Sequence, residues 1–191
     1  MPYPSDHKPR VHRRIVESAA RLFLQRGFAA VSIDALMAES GLTRGGFYSH
    51  FKNKGELLRE ALAAAFDQSR ENLFGRGTEA LSGEAWQRRA AERYLTPKHR
   101  DAPEGGCPIP ALSMEVARAP TVARRAFEAE VAQIIAEAEV RLGGPDARRR
   151  AISFLASSVG ALLLSRAVKS EKLSREILEA VRSTYGGRPL R

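Results

Sequence analysis

Ser32–Phe51, SIDALMAESGLTRGGFYSHF, is the stretch whose reading decides the fold. Ser32 offers a side-chain oxygen to the free amides at the start of a helix whose apolar face is Ile33, Leu36 and Met37, and Gly41 ends that helix. A second helix of about two turns opens at Thr43, whose hydroxyl suits the N-cap position. On its first turn Arg44 can reach a guanine edge or a phosphate. Gly45 and Gly46 let the backbone approach bases closely, at roughly 1 kcal/mol each in a helix interior. Tyr48 and His50 carry a hydroxyl and an imidazole suited to backbone phosphates, while Phe47 and Phe51 anchor the helix inward. Lys54 stands where a further helix begins, so its ammonium and that helix end could clamp one phosphate. One helix braces and the next lies in the major groove, which is the outline of a helix-turn-helix.

Working outward, Ile15, Ala19, Leu22 and Phe23 repeat at the spacing of one helical face between Val11 and Arg26, with Arg13, Glu17 and Arg21 on the wet side. Gly27 sits where a left-handed residue closes a helix, and Phe28 can fold back on the last turn. After Gly55, Leu57, Leu58, Ala61, Leu62, Ala65 and Phe66 predict a long helix reaching about Leu73. Glycines 75, 77 and 83 precede a helix with Trp86, Ala90 and Tyr94; Pro97, Pro103, Gly105 and Gly106 mark a loop; Pro108 and Pro120 each suit a helix start. The last two predicted helices run from Pro145 to Val168 and from Ser174 to Tyr185. The pattern is all-α, about nine helices, with no strand of convincing length and no internal repeat. It divides into a DNA-binding domain over residues 10–55 and a larger helical domain over 56–187.

Composition narrows the function. The 191 residues carry 31 Lys and Arg against 22 Asp and Glu, a net charge of +9, which favours a polyanionic partner. Residues 1–55 hold nine of the bases and four of the acids, so more than half of the excess lies in the first third. Cys107 is the single cysteine, which rules out an intrachain disulfide or a cysteine-built zinc finger and suits a reducing cytoplasm. The opening MPYPSDHKPRVHRR has no apolar stretch like a leader's, and the uncharged run Ala151–Ser165 is short of a membrane span. His7, His12, His50 and His99 are scattered, and no HExxH, GxSxG or phosphate-cradling glycine loop occurs, so no catalytic residue, metal ligand or cofactor is expected.

Ile15, Ala19, Leu22, Phe23, Gly27, Phe28, Ser32, Ile33, Leu36, Gly41, Thr43, Gly45, Phe47, Tyr48, His50, Phe51, Lys54 and Leu57 together resemble the TetR/AcrR family of transcriptional regulators. Weaker likenesses are GCPIPAL over 106–112, VGALLLSRAV over 159–168 and LSREIL over 173–178. Gly46 departs from the family, whose members often carry a side chain there. The resemblance implies a cytoplasmic homodimer that binds a pseudo-palindromic double-stranded DNA operator and is released by a small-molecule effector, in the manner of a repressor. It places Trp86, Tyr94, Cys107, Leu112, Met114 and Phe127 around the effector. The last two helices are the dimer candidates, through Ile152, Leu155, Val159, Leu162 and Leu163 and through Ile177, Leu178 and Val181.

Two other functional readings compete. Cys107 at a helix N-terminus would have a stabilised thiolate, which gives a repressor sensing oxidants or electrophiles. A small core residue is the plainer role for a lone cysteine. A protein that coats DNA without sequence choice would account for the charge alone.

Overall fold

Ile15, Ala19, Leu22 and Phe23 are all buried, and they fix the course of α1 (His7–Arg26). The computed structural model describes residues 7–75 and 77–186. Residues 1–6 of the leader reading and the expected limit at 187 lie outside the described residues. Gly27 closes α1 at φ +80°, and Phe28 returns edge-on to Phe23 with ring centres 5.2 Å apart. Two short helices follow, α2 (Ile33–Glu39) and α3 (Arg44–Phe47), and then the linking helix α4 (Lys54–Ser69), which packs along α1. The Asn53 side chain caps α4 by accepting from the Glu56 amide at 2.9 Å, and Glu56 returns a carboxylate to the Lys52 amide at 2.7 Å.

The larger helical part comprises α5 (Gly83–Tyr94), α6 (Pro97–Asp101), α7 (Pro108–Val116), α8 (Thr121–Leu142), α9 (Ala147–Ala167) and α10 (Glu171–Thr184). No strand occurs among the described residues. Helix α9 packs between α8 and α10, while α7 touches α1, α4, α8 and α9. The core is continuous, running from Ile15, Leu36 and Phe47 through Leu57 and Phe66 to Tyr94, Leu112, Phe154 and Leu162.

The structure corrects several boundaries. The described residues hold ten α-helices, because α6 lies within the stretch expected to be loop: Pro97 pre-sets its first turn and Thr96 caps it by accepting from the His99 amide at 3.1 Å. Helix α3 is one turn rather than two, as two adjacent glycines propagate a helix poorly, although the Phe51 amide still reaches the Phe47 carbonyl at 3.0 Å. Beyond Ser69, α4 continues as a π-helical segment, Arg70–Gly75. Helix α10 starts three residues early, at Glu171, where Ser170 caps it through the Leu173 amide at 3.3 Å.

Candidate nucleic-acid interface

The brace is built by local chemistry. Ser32 Oγ accepts from the Ala35 amide at 3.0 Å, starting α2. At the other end Gly41 takes φ +65°; its amide donates to Ala38 and that of Leu42 to Met37, at 2.9 and 2.8 Å, the paired bonds of a Schellman turn. The turn aims α3 away from α2. Phe47 is fully buried with Leu36, Met37 and Phe51, so the opposite side of α3 must face out. Thr43, Arg44, Gly45, Tyr48 and Ser49 are exposed there. Thr43 has the extended backbone of an N-cap, yet its hydroxyl makes no capping bond.

Each side chain expected at DNA has a definite partner or exposure. Arg44 pairs with Asp34 at 2.8 Å, and both are more than half exposed. Such a pair contributes about 0–1 kcal/mol, so Arg44 can exchange the carboxylate for a base edge or a phosphate. Tyr48 is open to solvent. His50 is half-buried beside His12, ring centres 5.7 Å apart, with Nδ1 buried and unbonded among the described residues. Burial, and then the charges of His12, Lys8 and His7, hold its pKa below the usual histidine value. Lys54 differs from expectation. Its ammonium donates to the Phe28 carbonyl and lies 4.2 Å from the centre of the Phe28 ring. One of its three N–H donors is thus used inside the protein, on a side chain that stays half-buried.

Missed by the sequence reading is the start of α1. Lys8, Arg10, Arg13 and Arg14 are exposed there, and Lys8 is near enough to disfavour a charge on His50. The signal is the basic run in HKPRVHRR, which enters the sequence reading through the charge surplus of residues 1–55 and not as a set of DNA contacts.

Away from α3, a cleft of about 650 Å³ opens between the π segment, α5, α8 and α9. Trp86, Ile134, Ala138, Ala151, Phe154 and Leu155 supply its apolar wall, and Arg70, Glu137 and Arg141 lie at its edge. Arg70 is committed to Glu130 at 2.9 Å, while Arg141 donates to the carbonyls of Thr78 and Glu79.

Of the six residues expected around an effector, only Trp86 lines this cleft. Tyr94, Cys107 and Leu112 are buried in the core, Phe127 packs edge-on against Phe66, and Met114 is exposed to solvent. Cys107 is not a poised thiol: only 1% of it is exposed, burial pushes its pKa up, and its amide donates to His99 Nε2 at 3.0 Å. Desolvation outweighs the helix end, which removes support for an oxidant sensor.

The expected dimer residues also divide. Ile152 and Leu163 are exposed, and Leu155, Val159, Ile177 and Val181 are half-buried. Leu162 and Leu178 are instead fully buried, on α9 and α10, two helices that pack together. Leu164 and Leu173 are exposed apolar residues that the sequence reading did not include.

Residues 15–61, spanning α1 to the first half of α4, match the family described as bacterial regulatory proteins, tetR family. An uncharacterized HTH-type transcriptional regulator of Mycobacterium tuberculosis, MT0206, is 30% identical over 164 residues, which cover 80% of this chain and 82% of that one. The chain belongs to the TetR family of transcriptional regulators. Two uncharacterized HTH-type transcriptional regulators of Bacillus subtilis and the transposon Tn10 TetC protein of Escherichia coli align over 47 to 68 residues, only 17% to 33% of their own length. The crystal structure of a TetR regulator from Chloroflexus aurantiacus superposes with a TM-score of 0.78 at 23% identity, covering 93% of this chain and 95% of that one. AibR, solved in complex with isovaleryl coenzyme A and operator DNA, superposes at 0.65 with 20% identity, covering 91% and 97%. The fold of this TetR-family chain is therefore that of an N-terminal helix-turn-helix followed by a larger helical domain. No described helix is long and apolar enough to cross a membrane, and no group of three or more His, Cys, Asp or Glu among the described residues could hold a metal.

Proposed function

We propose that this TetR-family regulator is a cytoplasmic, ligand-responsive repressor without catalytic activity, acting as a homodimer on a pseudo-palindromic operator. The DNA-reading part spans residues 10–55 and the effector and dimerisation part 56–187. The observation that carries the reading is the outward face of α3: Thr43, Arg44, Gly45 and Tyr48 stand exposed on a helix whose other side is locked by fully buried Phe47. One turn contacts few bases, so a second copy is needed for useful specificity. Arg44 reads a base edge, while Thr43, Tyr48 and the α1 bases contact phosphates.

The effector occupies the cleft lined by Trp86, Phe154 and Leu155. A binder there releases DNA by favouring the protein state in which the two reading helices are wrongly spaced. AibR, solved in complex with isovaleryl coenzyme A and operator DNA, supports the reading that this fold holds both a small molecule and DNA.

The test is selection of bound duplexes from a random pool, followed by a small-molecule screen for release of the winner. Trp86 is the chain's single tryptophan, so quenching of its emission reports occupancy of the cleft directly. A protected palindrome, together with a compound that both quenches Trp86 and releases DNA, is the expected result. Uniform protection of all sequences would make the protein a coating factor instead.

A further inference from the structure

The turn between α1 and α2 is held from two sides. From α7, Glu115 Oε2 accepts a hydrogen bond from the Ala29 amide at 3.1 Å, across 86 residues of chain. From α4, the Lys54 ammonium donates to the Phe28 carbonyl and sits against the Phe28 ring. Burial lowers the Lys54 pKa, and the Glu115 charge works in the opposite direction, so the two holds share an electrostatic environment. Gly27 completes the seat. Its φ of +80° favours glycine, and a Cβ there would lie 2.1 Å from Glu115 Oε1. The missing side chain thus serves both the end of α1 and the approach of a carboxylate from a distant helix.

This small contact stands at a junction. Ala29 is three residues before Ser32, the cap that starts α2, so the turn can wander only about 10 Å from the brace of the reading helix. At its other side α7 packs on α8 and α9, the helices that form much of the cleft wall. We infer that Glu115 is a positioning residue for DNA reading, fixing the α1–α2 turn to α7 and so setting the reading helix relative to the larger domain. This inference rests on operator binding by a dimer. A hydrogen bond to a charged group is strong enough to hold such a loop, and its loss frees the turn while leaving the buried cores of both parts intact.

The experiment compares wild type, Glu115→Gln and Glu115→Ala. Amide exchange is followed without DNA, and binding is measured to the selected palindrome and to the same half-sites with one base pair inserted between them. Glu115→Ala is expected to keep its thermal transition and to lose protection at Ala29 and through Ser32–Phe47. Its preference for the native spacing should fall by about tenfold, the scale of one charge-assisted hydrogen bond. Glu115→Gln, whose amide oxygen still accepts from Ala29, is expected to keep most of that preference. Unchanged protection across α2 and α3 would overturn the inference, as would equal weakening on both spacings. If the wild type selects no palindrome, operator reading fails, and the exchange data still decide whether Glu115 holds the turn. The pair of Gly27→Ala variants gives an independent check. Gly27→Ala should cost more stability in the wild-type background than beside Glu115→Ala, where only backbone strain remains; equal costs would count against the contact.

Discussion

At the residue scale, His99 makes the sharpest solution prediction. It is buried, and because Nε2 accepts from the Cys107 amide, the ring proton sits on Nδ1, which donates to the Tyr94 carbonyl at 2.7 Å. Burial is the main force lowering its pKa to about 4; the Tyr94 bond opposes it and Arg166 adds to it. An unfolded histidine titrates near 6.5, so the unfolded chain takes the proton first. The contribution of His99 is therefore complete above about pH 6.5, falls as the pH drops towards 4 and is flat below, an effect on the order of 3 kcal/mol. Urea midpoints at pH 7 and pH 4.5 should show it, with a smaller difference in His99→Gln. Arg44 lies at the other extreme of burial. Since its pair with Asp34 is exposed, Arg44→Ala should leave stability within about 0.5 kcal/mol of wild type. On DNA the same change should cost about 1–3 kcal/mol on the cognate site and little on a scrambled one. Titration of both duplexes checks this, and equal losses would move Arg44 from base reading to phosphate contact.

At the scale of the element, α3 is a helix whose sequence works against it. A Cβ on Gly45 would meet nothing within 4 Å, and one on Gly46 would make only an ordinary contact with Met37 Cε at 3.5 Å. Packing within the protein therefore demands neither glycine. Gly45→Ala should stabilise the turn by roughly 1 kcal/mol, raising the thermal midpoint by about 2–4 °C. It should also weaken cognate DNA binding, because the added methyl holds the backbone off the duplex. A raised midpoint with undiminished affinity would show that close approach to the bases is not what the glycines serve.

Across the whole molecule, four of the exposed large apolar residues lie on the last two long helices, the others being Tyr48 beside α3, Met114 on α7 and Val122 and Val140 on α8. Ile152, Leu163 and Leu164 on α9 and Leu173 at the start of α10 face solvent, while Leu162 and Leu178 belong to the protomer core. Leu163→Arg should therefore leave helical content and the thermal transition largely unchanged, yet shift the sedimenting species from dimer to monomer. Operator affinity should fall with it, since one reading helix contacts too few bases alone. Leu162→Arg should instead unfold the α9–α10 pair, because it buries an unpaired charge. The contrast between adjacent residues separates an interface from a core in one pair of variants.

What the chain determines by itself is what hydrogen bonds and periodicity settle within a few residues. Ser32 starts α2 and Gly41 ends it, Gly27 closes α1, and the spacing of Ile15, Ala19, Leu22 and Phe23 marks a buried face, all from chemistry local to the backbone. The helix-turn-helix was legible for that reason, and so was the family. Tertiary structure decided the destinations of long side chains and the partners of apolar faces. Lys54 reaches back to the Phe28 carbonyl and ring, Glu115 reaches a turn 86 residues away, and Leu155 lines a cleft rather than only an outer face. Periodicity states that a face is covered and is silent on what covers it. A flexible chain of four or five bonds takes whichever partner the packing of distant helices brings within reach.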